Sequence, residues 1–274
     1  MNLVARERCP VCSARSRDIG ATKTLNPDSS LEVRLLACVK CGHWWHTPAP
    51  AQDDLMALYR ANSPFVVTPN AKEHYQQREH RIHEDDFLPF MDRFVDGGPS
   101  SAYLEIGAGG GQMVREFRRR GVAAYGVEPA GWNPQDGIVE TLADLPPGLQ
   151  FDIIVLQDVI EHLFDPLQMF GGLHRYAARG AHLFCSVPCS DSWPARRYGV
   201  RWNMILPFGH LHYFSRDSVR ETLRRSGWEM RDARRARPVK LRRLAVRLRL
   251  REIAYVLLKG GKDQMYVCAT ESGS

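Results

Sequence analysis

Short hydrophobic runs separated by turn-forming or helical segments dominate the chain from residue 101 onwards. Residues 102–106 predict a buried strand, and residues 112–120, after a glycine-rich turn, predict the helix that follows it. The predicted strands are, in chain order, residues 102–106, 122–128, 137–140, 151–156, 181–188, 228–233 and 264–270. A helix at 215–226, with Ser215 as its N-cap, precedes the sixth strand. This pattern predicts an α/β domain with a mostly parallel sheet.

The turn after the first strand contains three alternating glycines, Gly107, Gly109 and Gly111. Glycines at this spacing let the backbone turn tightly and approach a ligand closely, although dinucleotide folds and structural turns share the pattern. Glu128 ends the second strand about twenty residues later, where a carboxylate accepts hydrogen bonds from ribose hydroxyls. Together the two features favour a nucleoside cofactor.

Two Cys-x-x-Cys pairs near the N-terminus are separated by a 25-residue insert with two strand-like runs. The predicted ligand set is Cys9, Cys12, Cys38 and Cys41. Four thiolates complete a tetrahedral Zn²⁺ site, so we expect a structural zinc ribbon; a metal-free ribbon and a redox pair are the alternatives. Because the cysteines suffice, we expect His43 and His46 to lie at the surface.

Composition and charge indicate the cellular location of the protein and mark one strongly basic segment. The chain has 274 residues, 44% of them hydrophobic, and no uninterrupted apolar stretch of membrane-spanning length, which predicts a cytoplasmic protein without a transmembrane segment. The net charge is +6, and nine Lys or Arg residues without an acid lie between residues 234 and 251. We interpret this segment as a solvated helix packing its leucines on the sheet; an anionic surface or nucleic acid is the alternative partner.

These features divide the chain into three parts. The predicted parts are a zinc ribbon at residues 1–50, a helical linker or lid at 51–100, and the α/β domain at 101–274 with a substrate insert at 189–214. Residues 48–50 predict a stiff linker, residues 52–60 a short helix, and residues 70–95 a solvated helix. The last of these contains His74, His80, His83 and Tyr75, of which we expect Tyr75 to line the cofactor cleft.

Three motifs occur in a recognisable order: Glu-x-Gly-x-Gly-x-Gly at residues 105–111, Gly-Val-Glu-Pro at 126–129, and Phe-Asp-x-Ile-x-x-x-Asp-Val-Ile-Glu-His-Leu-x-Asp-Pro from 151. This order resembles the class I S-adenosylmethionine-dependent methyltransferases. With the ribbon and the segments 191–199 and 209–215, it is similar to bacterial zinc-ribbon methyltransferases of sugar, surface-polysaccharide and natural-product biosynthesis. The resemblance implies a Rossmann-like sheet of seven strands, the last antiparallel beside the fifth.

The resemblance also implies roles for matching residues. Glu105 would bind the ammonium of the cofactor's methionine end, and Glu128 the ribose hydroxyls. Thr141 stands where many relatives have an Asp facing the adenine, which leaves that contact open. The full cofactor set that it implies is Glu105, Gly107, Gly109, Gly111, Glu128, Thr141, Leu142, Gln157 and Asp158.

Methyl transfer from a sulfonium needs alignment, and a base if the acceptor carries a proton. His162, which we expect at the start of a helix, is the leading candidate base, oriented by Glu161 or Asp158, unless it only packs the loop. His210 and His212 are further candidates; because they alternate along an extended segment, we expect one at the cleft and one exposed.

A second grouping of the same residues predicts a cation site. Asp158-x-x-Glu161-His162, with His210 or His212, resembles the Glu-x-x-Glu-His…His divalent-metal site of small-RNA 2′-O-methyltransferases and ubiquinone-pathway O-methyltransferases. Two carboxylates and two imidazoles could hold a cation that positions a substrate hydroxyl and lowers its pKa.

The insert at 189–214 is rich in aromatic residues and arginines, which suit a lid that stacks on a sugar or planar ring, or simple packing. The preferred function is S-adenosylmethionine-dependent methylation of a small molecule, such as a sugar nucleotide or biosynthetic intermediate. RNA methylation and a non-catalytic, cofactor-binding assembly subunit are the alternatives.

Overall fold

The computed structural model describes residues 1–23, 32–62, 87–96, 98–129, 137–236 and 264–272. The N-terminal part contains β1 (Leu3–Val4), β2 (Ser16–Lys23), β3 (Glu32–Cys38), β4 (Trp44–Thr47), β5 (Ala49–Pro50), α1 (Gln52–Asn62) and α2 (Leu88–Met91). The remainder contains β6 (Ala102–Ile106), α3 (Gln112–Arg119), β7 (Ala123–Val127), β8 (Ile138–Val139), β9 (Phe151–Gln157), α4 (Pro166–Leu173), β10 (Ala177–Pro188), α5 (Trp193–Tyr198), β11 (His212–Tyr213), α6 (Arg216–Arg225), β12 (Trp228–Arg235) and β13 (Gln264–Glu271).

The central sheet of the described residues has seven strands in the order β12-β13-β10-β9-β6-β7-β8. The strands from β10 to β8 run parallel, whereas β13 is antiparallel to both β10 and β12. The predicted fold class is therefore confirmed, including the antiparallel last strand beside the fifth. The first strand, at 102–106, matches its prediction residue for residue.

Both faces of this sheet are covered by apolar side chains, as its hydrophobic strands require. Alternate residues of β9 point to opposite faces, so Ile154 and Leu156 join one core, and Ile153 and Val155 the other. The first core also contains residues of α4, α6 and the N-terminal cysteine region, and the second contains residues of α2 and α3. The N-terminal region thus packs directly on the face of the sheet that carries α4 and α6.

A second sheet, which we call the ribbon sheet, has the order β11-β4-β3-β2. Its strand β11 comes from the insert and pairs with β4 through His212 with Trp45 and Tyr213 with Trp44. Trp202 of the insert and Tyr213 are buried in one cluster with residues of β3 and β4. These aromatic residues therefore pack on the ribbon sheet.

Several local predictions need correction. Residues 48–50 are not simply a linker, because β5 pairs with β1 and Ala49 is buried. His162 does not start a helix: α4 begins at Pro166, where Asp165 caps the Gln168 N–H. Of the predicted helix at 70–95, only the stretch from 87 on is described. Tyr75, His74, His80, His83 and the leucines of the basic segment lie outside the described residues.

Candidate active site

The glycine loop joins β6 to α3 in a conformation that the sequence anticipates. Gly107, Gly109 and Gly111 have φ values of +72°, +49° and +72°, in the left-handed region where side chains are strained. A Cβ at Gly107 would lie 2.5 Å from Val159 Cγ2. The loop therefore lets the chain after β9 approach the chain after β6.

Glu128, at the end of β7, is buried beside this loop. Its Oε2 accepts a hydrogen bond from the Gly109 N–H at 2.9 Å, and its Oε1 accepts from the Tyr59 hydroxyl at 3.5 Å. Glu105 is buried at the end of the neighbouring β6. Both carboxylates thus lie at the carboxyl ends of parallel strands, where α/β folds bind ligands. The sequence predicts a helix around Tyr59 but contains no signal that the Tyr59 side chain contacts Glu128.

Thr141 and Leu142 lie on the outer side of this region, at the start of a 3₁₀ turn spanning Leu142–Asp144. The Thr141 N–H and hydroxyl both donate to Asp144 Oδ2, at 3.0 and 2.8 Å. The Leu142 carbonyl accepts a hydrogen bond from the Tyr176 hydroxyl at 3.1 Å. The Thr141 side chain is exposed, and its hydroxyl already serves the turn. Contact with an adenine stays a prediction.

Asp158 directly follows β9 and has a φ of +52°, an uncommon conformation for a residue with a side chain. Its Oδ1 accepts hydrogen bonds from the Ser186 hydroxyl at 2.7 Å and from Gln264 Nε2 at 2.8 Å. The preceding residue, Gln157, has a buried Oε1 without a hydrogen-bond partner among the described residues. Ser186 and Gln264 belong to β10 and β13, so only the sheet order brings them to Asp158, and no local sequence pattern indicates either contact.

Glu161, His162 and His210 converge just beyond this point. One ligand atom from each lies within 4.8 Å of the other two, and the rings of His162 and His210 are 4.8 Å apart. Glu161 is buried, and its Oε2 has no hydrogen-bond partner among the described residues. A buried, unpartnered carboxylate oxygen is costly unless a proton or a cation accompanies it.

Hydrogen bonds to carbonyl groups set the tautomers of both imidazoles. His162 Nδ1 donates to the Gly209 carbonyl at 2.6 Å, and His210 Nδ1 donates to the Met204 carbonyl at 2.9 Å. In a neutral ring this leaves the lone pair on Nε2, the arrangement that metal-bound histidines use.

Burial shapes the protonation of the same three groups. It raises the pKa of Glu161 well above its usual range, and the nearby Asp158 adds to this. It lowers the pKa of His210 to about 3, helped by His162. Burial also lowers the pKa of His162, although the hydrogen bond to the Gly209 carbonyl has a smaller effect in the opposite direction. Both imidazoles are therefore neutral near pH 7 and offer lone pairs.

His212 lies apart from this cluster. Its Nδ1 is 3.0 Å from His43 Nε2, and the ring is buried. His210 and His212 do face different surroundings, as expected, but the prediction that one is exposed is wrong, because both side chains are buried. His43 and His46 were expected at the surface and are also buried. Their burial follows from the pairing of β4 with β11, which no local pattern showed.

The four ribbon cysteines form a compact cluster. Their Sγ atoms lie within 4.8 Å of one another, with Cys9–Cys41, Cys12–Cys38 and Cys12–Cys41 at 3.6, 3.5 and 3.5 Å. Tetrahedral zinc with bonds of about 2.3 Å places its sulfurs about 3.8 Å apart, so the donor set fits zinc. The Lys40 and Cys41 N–H groups donate to Cys38 Sγ, both at 3.3 Å, as in metal-binding knuckles.

Comparison with known proteins decides the family. Residues 74–233, more than half of the chain, match the family described as a methyltransferase domain. The chain belongs to this family. Its fold is that of the class I S-adenosylmethionine-dependent methyltransferases, as predicted.

Individual relatives of the methyltransferase are distant. The ubiquinone biosynthesis O-methyltransferase of Pseudomonas paraeruginosa is 25% identical over 37% of this chain and 52% of its own length. That of Pseudomonas aeruginosa is 26% identical over the same shares. The chain thus spans about half the length of these curated relatives.

A solved structure covers more of the methyltransferase. The 1,6-didemethyltoxoflavin-N1-methyltransferase of Burkholderia thailandensis, with bound 1,6-didemethyltoxoflavin and S-adenosylhomocysteine, aligns over 92% of this chain and 100% of its own at 15% identity, with a TM-score of 0.56. A methyltransferase from Mesorhizobium loti aligns over 67% and 96% at 16% identity, with a TM-score of 0.51. These likenesses show the fold. Within the described residues, every helix is too short or too polar to cross a membrane.

Proposed function

We propose that this methyltransferase transfers a methyl group from S-adenosylmethionine to a hydroxyl oxygen of a small molecule, with a divalent cation held by Glu161, His162 and His210. The observation that carries the proposal is the convergence of one carboxylate and two neutral imidazoles beyond the carboxyl end of β9. The O-methyltransferase activity named for the Pseudomonas relatives supports a hydroxyl acceptor.

At the cofactor end, each residue has a defined task. Gly107 and Gly109 let the backbone approach the aminoacyl chain, Glu105 binds its ammonium, and Glu128 accepts hydrogen bonds from the ribose hydroxyls. The hydrogen bond from Gly109 to Glu128 fixes the carboxylate relative to the loop. These contacts orient the sulfonium so that its methyl group faces the acceptor in line.

At the acceptor end, the hydrogen bonds from His162 and His210 to backbone carbonyls fix the two rings. When bound, a divalent cation holds an acceptor oxygen and lowers the pKa of its hydroxyl. Because only these three protein groups would hold the cation, an acceptor with a second oxygen beside the methylated one would suit it. Asp158, held by Ser186 and Gln264, flanks this position and orients the entering acceptor.

A second candidate uses the same residues without a cation. His162 or His210, neutral and with a lone pair on Nε2, would then remove the acceptor proton directly. The observation that favours it is the same pair of Nδ1 hydrogen bonds, which keep Nε2 unprotonated. We also propose that the Cys9, Cys12, Cys38 and Cys41 cluster holds zinc in a structural role, because four thiolates close the coordination sphere.

RNA as an acceptor receives less support from the described residues. Of the basic segment at 234–251, the structure describes only residues 234–236. Arg234 lies over the Phe90 ring at 4.9 Å, and Arg235 Nη2 donates to Asp191 Oδ1 at 2.9 Å. These two arginines are engaged by the protein itself.

The cation site can be tested by electron paramagnetic resonance of Mn²⁺ added to the full chain with S-adenosylhomocysteine. We expect one Mn²⁺ to bind and Glu161→Gln to weaken binding about 100-fold, because it removes the only charged ligand. Asp165→Asn is the matched control: it removes a nearby carboxylate but keeps an N-cap for α4. Equal Mn²⁺ binding by wild type and Glu161→Gln would overturn the cation site.

The reaction itself can be tested with a catechol, 3,4-dihydroxybenzoate, and a radiolabelled methyl donor. Turnover that stops with a chelator and returns when Mg²⁺ alone is added back supports the cation, because Mg²⁺ does not replace zinc at four thiolates. Turnover that persists with the chelator but is lost in His162→Ala or His210→Ala favours the protein base.

A further inference from the structure

The chain around His210 is held from two sides. On one side, the N–H groups of Leu211 and His212 both donate to the Glu161 carbonyl, at 2.8 and 3.1 Å. On the other side, the His46 N–H of β4 donates to the Leu211 carbonyl at 3.2 Å. The segment that carries His210 is thus clamped between the Glu161 loop and the ribbon sheet.

The side chain of His46 makes a second hydrogen bond to this segment, at the backbone of His210. Its Nδ1 lies 3.0 Å from the carbonyl oxygen of His210 itself. Because a carbonyl only accepts, Nδ1 must carry the proton and donate. The His46 ring is buried and stands perpendicular to the Tyr213 ring, with the ring centroids 5.6 Å apart.

We propose that His46 is a positioning residue for the acceptor end of the site: its Nδ1 hydrogen bond fixes the backbone of His210 and so the place of the His210 ring beside Glu161 and His162. The inference rests on the proposed cation site. Partners behind the ligands of a metal site typically change metal affinity by about 10- to 100-fold when removed. The N-terminal region then takes part in building the site, although none of its cysteines lies in it.

Other bonds between the ribbon and the core provide a contrast. The Ser190 hydroxyl donates to the Gly42 carbonyl at 2.9 Å, and the Ser215 hydroxyl donates to the Cys41 carbonyl. Neither bond involves the segment around His210. A role of His46 that was only structural would be shared by Ser190, whereas a positioning role would not.

The test uses the full chain with S-adenosylhomocysteine and measures Mn²⁺ affinity by electron paramagnetic resonance. We expect His46→Leu to weaken Mn²⁺ binding about 10- to 100-fold. His46→Asn, whose amide nitrogen lies near the place of Nδ1, should restore the affinity to within about threefold. Ser190→Ala should bind Mn²⁺ as wild type does. Zinc content and S-adenosylhomocysteine affinity, measured by mass spectrometry and calorimetry, should be equal in all four proteins.

Each outcome has a defined meaning. If wild type does not bind Mn²⁺, the cation site fails and this inference fails with it. If wild type binds and His46→Leu binds equally well, only the inference is overturned. Equal weakening in His46→Leu and His46→Asn also overturns it, because the hydrogen bond would then not be the cause. If His46→Leu loses S-adenosylhomocysteine binding, the Mn²⁺ measurement is made with His46→Phe instead. This variant keeps a ring against Tyr213 but has no hydrogen-bond donor.

Discussion

The two ends of the site are built in different ways. The centre of the proposed cofactor end comes from one continuous stretch, β6 to β7, whose glycines and acids follow each other within 24 residues from Glu105 to Glu128. The acceptor end joins the loop after β9, the segment before β11 and strand β4 of the ribbon sheet. We therefore expect damage to the ribbon sheet to reach the acceptor end and to spare the cofactor end.

The largest effect should come from removing the proposed zinc, by chelation or by Cys41→Ser. Without the metal, β3 and β4 lose their anchor, so β11 and His210 are no longer held. We expect Mn²⁺ binding to fall below detection while S-adenosylhomocysteine affinity changes less than about threefold. Electron paramagnetic resonance measures the Mn²⁺ binding, and calorimetry on the same sample measures the S-adenosylhomocysteine affinity. An equal loss of both would contradict the view that the two ends are built separately.

Glu128→Gln should impair the cofactor end and spare the acceptor end. The variant loses the charge that faces the Gly109 N–H and that we propose binds the ribose hydroxyls, so S-adenosylhomocysteine affinity should fall about 100-fold, with Mn²⁺ binding unchanged. Glu116→Gln is the control, because Glu116 lies on the neighbouring α3 but pairs with Arg119 and Arg120 away from the loop. A similar loss in both variants would contradict the assignment.

Gly107→Ala tests the point where the two ends meet. Its φ of +72° strains any side chain, and the new Cβ would press on Val159 of the acceptor loop. We expect a loss of about 3 kcal/mol in the free energy of unfolding. Gly148 has a φ of +82° with nothing within 4 Å of a Cβ, so Gly148→Ala should cost only about 1 kcal/mol. Denaturant titrations measure the difference, and equal costs would mean that Val159 moves aside.

The smallest effect should come from Thr141→Val. The Thr141 hydroxyl donates to Asp144 and the side chain is exposed, so its loss should affect the turn more than the cofactor. We expect a change in S-adenosylhomocysteine affinity of less than about threefold and a stability loss of about 1 kcal/mol. A tenfold drop in affinity would show that Thr141 contacts the adenine after all.

The sequence by itself predicted the strands, the cysteine set and the glycine loop, because each follows from residue types close together in the chain. The hydrophobic runs predicted seven strands. The glycines at positions 107, 109 and 111 predicted a tight turn, because glycine adopts a positive φ without strain. The spacing of Cys9, Cys12, Cys38 and Cys41 likewise placed four sulfurs together.

Only the tertiary structure decided how the acceptor end is assembled. It buried His43 and His46, which were expected at the surface because four cysteines suffice for the metal site, and it separated His210 from His212. The pairing of β4 with β11 joins residues more than 160 positions apart, and no local periodicity encodes it. Which histidines meet at the site was therefore settled by packing between the ribbon sheet and the core.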